Sequence, residues 1–125
     1  MAFAETFKKN GKEFFDWLLD NGYPELAALS SSIKGSDKAL EWLMQNGYYH
    51  LGAFDDAIDN SESASKWLID NNHTILAITA DAVNGSNQAK KHLVSNDLHV
   101  FIYIAECIKS YLESKGMGKL INPFS

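Results

Sequence analysis

The apolar residues of this chain recur three or four positions apart, and no stretch shows the strict alternation that is typical of β-strands. Leu26, Leu29 and Ile33, for example, fall on one face of a helix, and the residues 25 positions later repeat the same spacing. Glycine or asparagine interrupts the pattern after about every ten residues. The chain is therefore predicted to be all-α and built from short amphipathic helices.

The pattern of the helices repeats with a step of 25 residues. Trp17, Trp42 and Trp67 stand 25 apart, and His92 continues the series. The columns that keep the same step are leucine (Leu18, Leu43, Leu68, Leu93), asparagine (Asn21, Asn46, Asn71, Asn96) and serine (Ser36, Ser61, Ser86). A fixed period of this kind is the mark of a repeat architecture. We expect one domain, 1–125, made of a half repeat (2–12), four repeats (13–37, 38–62, 63–87, 88–112) and a tail (113–125).

Each repeat is predicted to contain two helices. The first begins after a serine, whose side chain can accept a hydrogen bond from the first turn, and it ends at Asn-Gly. Gly22 and Gly47 are the stops of the first two repeats, and Asn72 and Asp97 take their place later. The second helix begins near Pro24 in the first repeat, and Gly35, Asn60 or Gly85 ends it in successive repeats.

Helices of about ten residues are not stable alone in water, so neighbouring repeats must stack. With its 25-residue step and stacked pairs of short helices, the sequence resembles α-helical tandem-repeat proteins of the α-solenoid type, in the broad company of HEAT and armadillo repeats. The short unit is closer to that of leucine-rich-variant repeats. The resemblance implies a right-handed superhelix of about four helix pairs. Whether the nine expected helices form an open superhelix or a closed bundle stays open.

Composition indicates an ordinary globular chain, 46% apolar and 22% charged. All eleven basic residues are lysines, and the net charge is −5, so neither DNA nor RNA is expected as a partner. The N-terminal residues lack the apolar core of a secretory signal, and the longest apolar stretch, 98–108, is too short to cross a bilayer. We expect a cytoplasmic protein that does not associate with membranes.

Few residues suggest chemistry. The tryptophan column is predicted to form a layer of the core, because an aromatic residue at one position of successive repeats usually packs there. Cys107 stands at a position where the earlier repeats place a small residue, so it is predicted to be a packed thiol. The acidic run that contains Asp55, Asp56, Asp59 and Glu62 lacks the order of a calcium loop and is predicted to be a solvated helix face.

Metal ions and other cofactors are not expected. No two of the four histidines have the spacing that would bring them together around one zinc ion. Nucleotide-binding and hydrolase motifs are also missing from the sequence, so no residue is predicted to be catalytic.

The turns inside the repeats bring aromatic residues and histidines to one edge of the stack. This candidate partner-binding edge consists of Tyr23, Tyr48, Tyr49, His50, His73 and His99. Tyrosine is enriched at binding hot spots, so an exposed edge would suit a partner. The other interpretation is that one of the two adjacent residues in each turn packs under the next helix. It would then be the apolar contact that often accompanies a glycine at the end of a helix.

The C-terminal repeat departs from the pattern at Ile102 and Tyr103, where earlier repeats place small residues such as Ala27 and Ala28. We expect something other than a fifth repeat to meet these larger side chains. Either the tail folds back as a cap through Leu120, Ile121 and Phe124, or this end forms a homodimer contact.

The leading functional hypothesis is a non-enzymatic helical-repeat protein that binds a protein or peptide, because solenoids expose long surfaces and seldom enclose pockets. The alternative is a small enzyme, or a ligand-binding or metal-binding domain, that uses His50, His73 or His99 with nearby acids. A pocket that combines two of these histidines with a carboxylate of shifted pKa would favour the alternative.

Overall fold

The computed structural model describes residues 1–115, which are mostly helical and contain no strand. The helices of this part are α1 (Ala2–Glu5), α2 (Gly11–Asp20), α3 (Pro24–Ile33), α4 (Asp37–Gln45), α5 (Tyr49–Ile58), α6 (Glu62–Asp70), α7 (Thr74–Val83), α8 (Asn87–Ser95) and α9 (His99–Ser114). The all-α class is confirmed for these residues. From α2 onward the helices alternate as two per 25 residues, which is compatible with a helical repeat.

Serine begins three of the helices in the way the sequence indicates. The side-chain oxygens of Ser36, Ser61 and Ser86 each accept a hydrogen bond from the backbone amide three residues later in the chain. The distances are 3.1, 3.2 and 3.1 Å. These residues cap α4, α6 and α8 respectively. Each bond satisfies an amide that has no partner inside its own helix.

The C-terminal ends of α2, α4, α6 and α8 also follow the repeat. Gly22 and Gly47 have φ angles of 83° and 81°, and Asn72 and Asp97 keep this left-handed conformation at 68° and 57°. One residue earlier, each asparagine of the repeated column donates its side-chain amide to the backbone carbonyl four residues before it, at 2.8 Å. The backbone amide of the same asparagine also donates to that carbonyl, so the side chain adds a second hydrogen bond at the last helical turn.

The described helices form two layers. The inner helices are α1, α3, α5, α7 and α9, and each packs against the next in this series. Each outer helix, α2, α4, α6 or α8, lies against the two inner helices that flank it in the chain. Among the described residues, the backbones of the outer helices do not come within 8 Å of one another. Grooves are therefore left between neighbouring outer helices, with an inner helix as the floor.

The inner layer closes on itself, because α1 also packs against α9. The Tyr103 hydroxyl of α9 donates to the carboxylate of Glu5 and accepts from the Lys8 ammonium group. Nearby, the rings of Phe7 and Tyr111 meet edge to face with centroids 5.7 Å apart. The arrangement is thus the closed one of the two alternatives, while the handedness of the stacking stays a prediction.

The structure shows what packs against Ile102 and Tyr103 of the C-terminal repeat. Tyr103 is met by α1 of its own chain, and Ile102 is half-buried beside the core. The proposed cap residues Leu120, Ile121 and Phe124 lie outside the described residues. The cap and the homodimer contact therefore both stay predictions.

The core contains the leucine column and excludes the tryptophan column. Leu18, Leu43, Leu68 and Leu93 are at most 2% exposed, whereas Trp17, Trp42 and Trp67 are 48%, 37% and 38% exposed. The prediction of a tryptophan core layer is wrong, because neighbouring residues of a helix point about 100° apart and only the leucine faces the inner layer. The prediction for Cys107 is confirmed, since its thiol is buried among the inner helices.

The contrast between the two columns can be measured on one helix. Leu68→Ala is expected to lower the free energy of unfolding by about 3 kcal/mol, because it opens a cavity in the core. Trp67→Ala is expected to cost only about 1 kcal/mol, mainly the loss of ring stacking. Urea unfolding followed by circular dichroism measures both, and equal losses would contradict this assignment of the core.

Candidate partner-binding surface

Each exposed tryptophan stacks on a residue of the turn that follows its helix. The stacked pairs are Trp17 with Tyr23 (centroids 6.0 Å apart, planes at 10°), Trp42 with Tyr48 (5.9 Å, 14°) and Trp67 with His73 (6.2 Å, 10°). The left-handed residue between the two partners turns the chain back, so that the second ring can lie over the first. Stacking of this kind holds the indole in one orientation although it is exposed to solvent.

His50 joins the second and third of these pairs. Its imidazole stacks on that of His73 with centroids 5.0 Å apart and planes at 18°. The centroid of the Tyr48 ring lies 6.5 Å from that of His50, with the two planes tilted by 55°. The rings from Trp42 to Trp67 therefore form one continuous aromatic chain across two repeats.

The structure divides the candidate partner-binding edge between the two interpretations. Tyr48 and His73 are half-buried against tryptophans, as the packing interpretation expects. Tyr49 is 53% exposed and Tyr23 44% exposed, as a binding edge requires. His99 is also exposed, and its Nε2 lies 3.5 Å from the Asp97 carboxylate.

The groove between α4 and α6 is lined by three large exposed side chains, Met44, Tyr49 and Trp67. Met44 of α4 and Trp67 of α6 form its walls, and Tyr49 and Ala53 of α5 lie at its floor. The cavity has a volume of about 470 Å³ and is lined also by Ala64, Ser61, Ser63 and Asp56. We call it the aromatic groove. Sequence reasoning placed Tyr49 at this surface but put Trp67 in the core and did not consider Met44.

Exposed apolar residues occupy the position of Met44 in the other outer helices as well. They are Leu19, Ile69 and Val94, at 48%, 52% and 53% exposure. The column was visible in the sequence, where four apolar residues stand 25 positions apart. It was overlooked because an apolar residue next to a helix stop is easily taken for core.

A second cavity, of about 530 Å³, lies where α3 and α5 end, and it contains a buried carboxylate. Asp55 is only 7% exposed and accepts a hydrogen bond from the Ser32 hydroxyl. Burial raises the pKa of Asp55 from 3.8 to about 6, although the Ser32 hydrogen bond lowers it and the charges of Asp59 and Asp56 raise it. The predicted solvated face is therefore wrong for Asp55, although Asp56, Asp59 and Glu62 are exposed.

The repeat itself contained the signal that Asp55 is buried. Its column holds Ser30, Ala80 and Ala105, which are all small, as expected where inner helices approach one another closely. An acid in such a column indicates a buried charge, whereas the local run of acids suggested a solvated one.

The part of the chain from residue 1 to 115 contains no group of three or more histidine, cysteine or acidic residues arranged to hold a metal ion. Within the same residues, no helix has both the length and the apolar character needed to cross a bilayer. Comparison with protein-family models, curated proteins and solved structures finds no match for this chain.

Asp55→Asn is expected to stabilise the protein near neutral pH. The pKa of Asp55 is raised in the folded state, so the protonated carboxyl favours the folded protein. This contribution to stability is fully present below pH 3.8 and is lost as the pH rises through about 6. The variant avoids this loss, so it should gain at most about 3 kcal/mol at about pH 7 and almost nothing at about pH 4. Urea unfolding at the two pH values measures the gain.

The matched control is Asp56→Asn, which removes the same charge from the exposed neighbouring position. It should change the stability by less than about 0.5 kcal/mol at either pH. A gain for Asp55→Asn that does not depend on pH would contradict the assigned cause.

The stacked histidines give a second pH prediction. Burial, and to a lesser extent the charge of His73, lowers the pKa of His50 below 6.5. The stability contributed by neutral His50 is therefore present above pH 6.5 and is lost as the pH falls through its folded pKa. His73→Tyr introduces the residue of the two preceding repeats, so it should keep the stack, remove the neighbouring charge and raise the pKa of His50 part of the way.

Nuclear magnetic resonance titration of the imidazole carbon-bound protons measures this shift. His99→Gln serves as the control, because His99 lies outside the stacked rings and should leave the pKa of His50 unchanged. A pKa of His50 that does not move in His73→Tyr would show that the neighbouring imidazole has no influence.

Proposed function

We propose that this chain is a non-enzymatic helical-repeat protein that binds a peptide segment of a partner protein in the aromatic groove. The observation that carries the proposal is the convergence of Met44, Tyr49 and Trp67 on one cavity of about 470 Å³ while all three stay exposed. Such side chains gain free energy when a partner removes them from water.

The groove has the properties of a binding hot spot. Tryptophan and tyrosine dominate hot spots because each presents a large contact area with few rotatable bonds. Stacking on His73 also restrains the Trp67 indole before any partner arrives. A restrained side chain loses little entropy on binding, so more of the contact free energy is retained as affinity.

Several features favour binding over the catalytic alternative. His50 and His73 face each other and the neighbouring aromatic rings, and neither imidazole lines the aromatic groove or the cavity of Asp55. Asp55, the carboxylate with a pKa of about 6, lies in that other cavity with Ser32 and Asp59. An enzyme would be favoured by two histidines and a carboxylate of shifted pKa in one pocket. His50, His73 and Asp55 do not form this combination.

Panning of a phage library of random peptides on the full chain tests this function. We expect the selection to yield peptides that bind in the micromolar range. Trp67→Ala should weaken them about tenfold or more, which is the loss typical of a hot-spot residue. Fluorescence anisotropy of the synthesised peptides measures the affinities.

Trp17→Ala is the matched control, because Trp17 is also an exposed indole stacked on a turn residue but does not line the aromatic groove. Its affinity for the selected peptides should equal that of the unchanged chain. A selection that yields no binders, or binders that are indifferent to Trp67→Ala, rejects the proposed function.

A further inference from the structure

The aromatic groove has a charged group at its edge. Asp56 is the one charged residue among those that line it, and the other polar lining residues are Ser61 and Ser63. Asp56 is exposed, and in the described part of the chain no lysine or histidine lies within ion-pair distance of its carboxylate. The groove thus combines apolar walls with a carboxylate that only solvent balances.

The equivalent positions of the neighbouring repeats do not offer this combination. The residue that corresponds to Asp56 is Ser31 one repeat earlier, where the charge is missing. One repeat later it is Asp81, which lines a groove with Glu62 and with Lys66, whose ammonium group pairs with Asp70. His92 also replaces the tryptophan there. Among these three positions, only Asp56 joins an unpaired carboxylate to an exposed indole.

The side chains around Asp56 suit the end of a long cationic residue. The faces of Trp67 and Tyr49 attract cations through the negative potential of their rings. The methylene groups of a lysine or arginine bury well against apolar surface while the charge remains near water, and Met44 and Ala53 supply such a surface. Asp56 then completes an ion pair, which is stronger where the partner displaces water from the groove.

We propose that the aromatic groove receives a lysine or arginine side chain of a basic peptide segment, with its stem against Met44 and its cation between Trp67, Tyr49 and Asp56. This inference rests on the proposed function and specifies the chemistry of the partner. The net charge of −5 also attracts a basic segment over distance. The recognition is of the cation and its apolar stem together.

The phage selection described above tests this when it is repeated with two variants as bait. Peptides selected on the unchanged chain should be enriched in lysine and arginine over the starting library. Asp56→Asn should clearly reduce the enrichment, whereas Asp81→Asn, which removes an acid from the corresponding position of the next groove, should preserve it. Both aspartates are exposed, so neither change threatens folding.

A selected peptide then gives a quantitative test with its basic residue replaced by norleucine, which keeps the apolar stem and removes the charge. We expect binding to weaken about fivefold or more on the unchanged chain, and clearly less on Asp56→Asn, where only the Trp67 and Tyr49 rings still attract the cation. Added salt should weaken the lysine or arginine peptide and leave the norleucine peptide unaffected.

The outcomes separate this inference from the function on which it rests. Peptides that depend on Trp67 but show no basic enrichment overturn the inference and leave the proposed function standing. A selection without any binder overturns both. Light scattering tests whether a second copy of this chain occupies the groove. If the chain forms a dimer that Asp56→Asn dissociates, the occupant is that second copy and not a basic peptide.

Discussion

Burial of one leucine from each outer helix is the interaction on which the rest of the structure depends. Helices of nine or ten residues do not persist alone in water, so α2, α4, α6 and α8 exist because Leu18, Leu43, Leu68 and Leu93 anchor them to the inner layer. Each outer helix packs on two inner helices, so it also links one repeat to the next. The regular capping serines and asparagines then have only to define where each helix begins and ends.

The same anchoring creates the surface to which we assign function. A leucine that points inward turns its neighbours along the helix toward the flanks, where Trp67 and Met44 lie exposed. Because the backbones of the outer helices stay apart within the described residues, Met44 and Trp67 line a groove. Core packing and partner binding are therefore served by adjacent residues on the same short helices.

Two features depart from the repeat and set the character of the molecule. The contacts of Glu5 and Lys8 with Tyr103 close the inner layer, so the first and last described helices protect each other. Asp55 introduces a carboxylate where other repeats place small uncharged residues, and its burial has a cost at neutral pH. Residues that oppose stability in this way mark places worth testing for function.

The sequence by itself determined the all-α class, the capping serines, the residues that end the repeated helices, and the burial of Cys107. Caps, stops and periodicity are local properties that the 25-residue step repeats. The same information misplaced Trp67 and Asp55, since a column shows that positions are equivalent but not which way they face. Closure of α1 on α9 was also beyond it, because residues 95 or more positions apart meet only through the accumulated geometry of every repeat between them. The aromatic groove was decided by tertiary structure for the same reason: its walls come from different helices, and only their packing sets the space between them.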